Sequence, residues 1–180
     1  GEGLVEYNDW DGDEEKREIK PEVSSSLVES LRIFQEKLSP SCKVVYYPSC
    51  HLDSSPSVAF EKSRDIYVDI DEDPIKILKD NGYEAHVADA NEFEPDEPVD
   101  VLILLNPGET GVNPVNFLKD QGYVLCNDYH DTATVLVQRE DLKLVAMVRK
   151  VDGSNKKKIF DSENLDEYWK EILNDEELKT

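Results

Sequence analysis

Apolar residues in this chain gather into short runs divided by acidic turns, and the spacing inside each run sets the element expected there. Leu27, Leu31, Phe34 and Leu38 recur every three or four residues behind Pro21 and the Ser24-Ser25-Ser26 run. That spacing predicts a helix, stopped by Ser39-Pro40. Val44-Val45-Tyr46-Tyr47 is apolar throughout, the mark of a central strand covered on both faces. After the loop 48–56, a short helix is expected around Val58 to Lys62. Ile66 and Val68 then lead a strand into Asp69, Pro74 to Asp80 reads as a helix, and Asn81-Gly82 turns the chain into a strand from Tyr83 to Val87 that ends near Asp89. Val101 to Leu105 is the most apolar strand and ends at Asn106-Pro107-Gly108. Asn113-Pro114 opens a helix expected to run to Lys119, and Tyr123 to Cys126 is the fifth strand. Asp131 to Gln138 fits helix and strand equally. Leu142 to Arg149 alternates as a strand, with Lys158 to Phe160 set to pair back across Asp152-Gly153. Ser162 is the expected cap of a last helix carrying Leu165, Trp169, Ile172 and Leu173 on its inner side.

Strand and helix alternate from residue 26 to about 126, and a strand-rich end follows. The pattern predicts an α/β fold: a three-layer sandwich on a mostly parallel, doubly wound sheet, with an antiparallel edge after the fifth strand. Residues 1–20 are polar and acidic with isolated aromatics (Tyr7, Trp10), so they read as a flexible arm, and 21–180 as one domain. Hydrophobic residues are only 38% of the 180, yet their clustering argues for a packed core under a charged surface.

Charge narrows the partners. A formal net charge of −21, from 41 acids against 20 lysines and arginines, repels phosphate backbones and makes nucleic acid an unexpected partner. Three cysteines make no disulfide framework and point to a reducing cytoplasm. No apolar run approaches the ~20 residues a membrane-crossing helix needs.

In a sheet of this kind, residues just past the carboxyl ends of the strands face the ligand crevice. Asp69 and Asp89 hold such positions, as acceptors for hydroxyls or an amino group. Asp71 and Asp73 fit better as dipole-favoured acids at a helix start beside Pro74. Asp69-Ile70-Asp71 also matches the Asp-x-Asp of haloacid-dehalogenase-type phosphatases, but the residue two further on is Asp73 instead of Thr or Val. Cys50-His51, with Cys126 and His130, lack Cys-x-x-Cys spacing, so no metal site is expected. A nicotinamide dehydrogenase would need Gly-x-Gly-x-x-Gly at the first helix, and the chain has none there.

From Val44 to Cys126 the order of signals resembles the class I S-adenosylmethionine-dependent methyltransferases. The carrying pieces are Val68-Asp69-Ile70, Ala88-Asp89-Ala90, Leu104-Leu105-Asn106-Pro107 and Leu118-Lys119-Asp120-Gln121-Gly122-Tyr123. The resemblance implies a Rossmann-like fold that binds S-adenosylmethionine, with Asp69 and Ile70 at the ribose and Asp89 and Ala90 at the adenine. It further implies Ser49 and Asp53 in the first-strand loop, Asp53 meeting the methionine amine, and Asn106 facing an unspecified methyl acceptor. One piece departs from the family: where it carries acid-x-Gly-x-Gly-x-Gly, this chain reads Tyr46-Tyr47-Pro48-Ser49-Cys50-His51-Leu52, without glycine. That departure motivates a second expectation, a non-catalytic Rossmann-like module that has lost its cofactor and binds a protein partner.

Overall fold

A computed structural model describes residues 5–8, 15–105, 111–128, 131–151 and 157–167. Five strands form one wholly parallel sheet: β3 (Val44–Pro48), β4 (Arg64–Asp69), β5 (Glu84–Val87), β6 (Val99–Leu104) and β7 (Leu118–Cys126). Their order across the sheet is β5-β4-β3-β6-β7. The chain therefore steps outward one way from β3, then returns to its other side, and the point of reversal lies between β3 and β6. This is a Rossmann-like α/β fold.

Alternation along the buried strands sorts the core into two faces. Val45 and Tyr47 of β3, Tyr67 of β4, and Val101 and Ile103 of β6 meet Val28, Leu31 and Phe34 of helix α1 (Ser25–Leu38). Ala59 of α2 (Ser55–Ala59) and Ile75 and Leu78 of α3 (Glu72–Asp80) complete that layer. On the opposite face Val44, Tyr46, Ile66, Val68, Leu102 and Leu104 are covered by Phe93, by Val115 in a 3-10 helix (Asn113–Phe117) and by Leu136 of α4 (Thr132–Val137). The expected three layers are present. The strands are continuous apolar runs because both faces are covered.

Several boundaries move, each for a local reason. The helix expected at Val58–Lys62 lies earlier, at Ser55–Ala59, because Pro56 occupies its first turn and the Asp53 carboxylate takes the Ser55 N–H at 3.0 Å. The helix expected to reach Lys119 is a 3-10 turn that ends at Phe117, and β7 already begins at Leu118. Between Val99 and Val101 of β6 the facing residues on β7 jump from Leu118 to Tyr123, so the intervening residues bulge. The bulge turns through Gln121 at φ 67° and folds back so closely that a Cβ on Gly122 would lie 2.8 Å from the Leu118 side chain. Only glycine fits there. The ambiguous stretch Asp131–Gln138 is helical, with Asp128 accepting the Thr134 N–H at 3.0 Å.

The antiparallel end forms its own ribbon, β8 (Met147–Lys150) with β9 (Lys158–Asp161), so only the last third of the expected Leu142–Arg149 strand pairs. The ribbon is fixed to α1 by the Lys158 ammonium, which donates to the Ser26 carbonyl and to the Ser26 and Ser30 hydroxyls. In the expected arm, β1 (Val5–Asn8) and β2 (Glu15–Glu18) pair as a second antiparallel ribbon. Among the described residues no helix is long and apolar enough to cross a membrane.

Candidate functional site

The carboxyl ends of β3, β4 and β5 bring the expected site loops side by side. The loop after β3 follows a path that glycines usually supply: Ser49 (φ 57°) and His51 (φ 50°) both take left-handed backbone. Their neighbours Cys50 and Leu52 turn inward and are 2% and 7% exposed. Two of the loop's side chains thus enter the core, while His51 stays exposed. Hydrogen bonds hold the loop to β4, with Cys50 N–H donating to the Val68 carbonyl at 3.3 Å and His51 N–H to Asp69 Oδ2 at 2.8 Å.

Asp69 terminates β4 half-buried, and its other oxygen, Oδ1, accepts the Asp71 N–H at 2.9 Å. Its backbone carbonyl takes the Ala88 N–H at 3.0 Å, which carries the β4–β5 ladder one step past β5. Asp89 therefore follows immediately beside it. The Asp89 carboxylate, also half-buried, accepts the Asn91 N–H through Oδ1 at 2.9 Å. A carboxylate has about four lone-pair sites, so both groups keep acceptor capacity. Ile70 stands 72% exposed next to Asp69, whereas Ala90 is buried. Asn91 in turn takes an amide N–H from Asn113 at 2.8 Å, which ties the loop after β5 to the 3-10 helix after β6.

Asp53 is used differently. Its Oδ2 accepts the Tyr47 hydroxyl at 2.8 Å, and its Oδ1 accepts both the N–H and the hydroxyl of Ser55. Ser55 Oγ also accepts the Ser24 N–H, and the Glu22 backbone bonds Leu52 and Ser54 at 2.7 and 2.8 Å. Asp53 thereby anchors α2 and the entry to α1. These partners left no local mark in the sequence, since Tyr47 and Glu22 reach Asp53 and its neighbours only through the turn. Asn106, expected to face an acceptor, and His130 lie outside the described residues.

Thiol chemistry finds no support at these ends. Burial, then the nearby Asp69 carboxylate, pushes the Cys50 thiol well above its ordinary range. Burial and then Asp128 push Cys126 up to about 11. Neither presents a thiolate near neutral pH. The loops 49–54, 70–73 and 88–98 contain no lysine or arginine, so the crevice lies in a field that favours cationic groups.

No known family model matches the sequence, and no curated protein matches it. Among solved structures, the chain is similar to an S-adenosylmethionine-dependent methyltransferase from Clostridium acetobutylicum ATCC 824, with 11% identity and a TM-score of 0.46. The alignment covers 72% of this chain and 59% of that one, so the chain spans somewhat over half of its length.

Proposed function

We propose that the carboxyl edge of the sheet binds S-adenosylmethionine and serves methyl transfer to an acceptor still to be identified. The observation that carries this reading is the pair Asp69 and Asp89, half-buried at the carboxyl ends of the adjacent strands β4 and β5, each with unused acceptor capacity. Asp69 suits two vicinal ribose hydroxyls, and Asp89 suits the adenine amino group. Ser49 and the other backbone groups of the left-handed turn line the approach. Ile70 supplies an exposed apolar surface for a base. Bound there, S-adenosylmethionine would supply an electrophilic methyl group on sulfur. The acidic loops favour its positive charge, and transfer asks mainly that donor and acceptor be held in line. Asn106, which follows β6 in the sequence and lies outside the described residues, is the residue proposed to face the acceptor.

The specific observation behind a second reading, a protein-binding module without cofactor, is that the fold itself engages Asp53 with three hydrogen bonds and Asp69 with two. Titration with S-adenosylmethionine and with S-adenosylhomocysteine in a calorimeter separates the two. Binding is expected, weakened about 10-fold or more by Asp89→Ala, the worth of one hydrogen bond to a charged group. Absence of heat and of a thermal shift at millimolar ligand would sink the cofactor reading. A co-purified partner unaffected by Asp69→Ala and Asp89→Ala would then favour the module.

A further inference from the structure

The turn after β3 holds one side chain that neither the fold nor the proposed binding mode employs. Ser49 and His51 take left-handed backbone at φ 57° and 50°, a conformation that strains a residue other than glycine and persists only where its surroundings over-determine it. The surroundings of His51 do so. Cys50 and Leu52 are buried on either side of it, Cys50 N–H donates to the Val68 carbonyl, and Asp53 N–H donates to the Cys50 carbonyl at 3.0 Å. Asp69 Oδ2 takes the His51 N–H at 2.8 Å, which fixes the His51 backbone against the end of β4 while the ring stays exposed. Among the described residues that ring makes no hydrogen bond or ion pair, unlike the ring of His86, which meets Glu84 at 3.3 Å and packs on Phe93.

The strand order decides which part of a ligand the His51 ring would meet. Asp89, Asp69 and the turn 49–53 stand at the ends of β5, β4 and β3, which are consecutive across the sheet. Each step between them is ~4.8 Å. With the base at Asp89 and the ribose at Asp69, the remaining part of S-adenosylmethionine, its amino-acid tail, extends to the turn after β3. That tail carries a carboxylate, and like charges a few ångströms apart repel even near a protein surface. The loops 49–54, 70–73 and 88–98 offer it many acids and no lysine or arginine. His51 is their only basic side chain, and an imidazole has an N–H to donate in either protonation state.

We propose that His51 receives the carboxylate of the bound amino-acid tail through a ring N–H, and so makes the crevice select nucleosides that carry that tail. The assignment rests on the S-adenosylmethionine reading. It shifts recognition of the tail from Asp53, whose two oxygens the fold already engages with Tyr47 and Ser55, to a neighbour whose ring is free among the described residues. The restrained backbone contributes as well, because a ring carried on a fixed turn has less freedom to lose on binding.

The test titrates the full chain with S-adenosylhomocysteine and with methylthioadenosine, a thioether nucleoside that lacks the amino-acid tail. His51→Ala is expected to weaken S-adenosylhomocysteine about 10-fold or more, as the loss of a hydrogen bond to a charged group does, and to leave methylthioadenosine within about twofold. His51→Gly, which fits the backbone at φ 50° without strain, should give the same discrimination with a thermal midpoint close to that of the parent chain. Equal losses for the two nucleosides overturn the proposal, because His51 would then act only by shaping the turn. Undiminished S-adenosylhomocysteine binding in both variants overturns it too, and leaves the S-adenosylmethionine reading standing. A parent chain that binds neither nucleoside removes that reading and this assignment together.

Discussion

Tyr46 shows how unevenly this chain treats its buried polar atoms. Its ring is fully buried against Phe93 on the second face of the sheet, and its hydroxyl finds no hydrogen-bond partner among the described residues. Tyr47, one residue on and facing the other layer, gives its hydroxyl to Asp53. An orphaned buried hydroxyl costs its desolvation with nothing returned, whereas phenylalanine keeps the ring contacts. Tyr46→Phe is therefore expected to leave stability unchanged or raise it by about 1 kcal/mol, read from the urea midpoint at constant slope. A clear loss would mean that the hydroxyl is bonded. At this scale the sequence was legible in position and silent in partnership. The strand-end location of Asp69 and Asp89 followed from the apolar runs before them. That His51 would donate its N–H to Asp69, or that Asp53 would anchor α2, depends on left-handed turns at Ser49 and His51 that residues other than glycine conceal.

Elements were legible wherever one strong local force fixed them. Val44 to Tyr47 and Val101 to Leu105 needed only their continuous apolar runs, and α1 its Ser24 cap and single stripe. Where two local signals competed, boundaries slipped: Pro56 drew α2 forward, and the Gly122 bulge set the start of β7. The last helix start is a further case, because Asp161 supplies the capping carboxylate in place of the expected Ser162. The backbone N–H groups of Asn164 and Glu163, then the Asn164 amide, hold the Asp161 carboxyl at about 2, below its ordinary 3.8. The folded state thus binds that proton more weakly than the unfolded chain, so this stabilisation is complete above about 3.8 and is lost as pH falls toward 2. Asp161→Asn keeps an acceptor but has no proton to gain. Its thermal midpoint is expected to fall less steeply than that of the parent chain across this window, and equal slopes would show that the cap does not titrate with folding.

Across the whole molecule the dominant fact is excess negative charge, −21 in a chain of 180 residues. Some of it is locally compensated. Arg64 bonds Glu84, Asp96 and Glu97 together at the amino-terminal edge of the sheet, Lys119 meets the buried Asp100 at 3.3 Å, and Arg149 meets Asp161 at 3.3 Å. Two opposing effects of salt follow. Screening weakens such pairs, but exposed pairs contribute at most about 1 kcal/mol each. Screening also relieves repulsion among 41 acids that outnumber the 20 lysines and arginines, as the Debye length contracts from ~30 Å at 0.01 M to ~3 Å at 1 M. The second effect acts on every uncompensated acid at once, and the first on a few pairs. Stability is therefore expected to rise with sodium chloride, by several degrees in the thermal midpoint if a few kcal/mol of repulsion is relieved, at about 2–4 °C per kcal/mol for a chain of this size. Arg64→Met should steepen the rise, because it releases three acids at one edge while sparing the apolar contacts of the side chain. A midpoint that falls with salt would show that the ion pairs at Arg64 and its counterparts outweigh the surplus of acids.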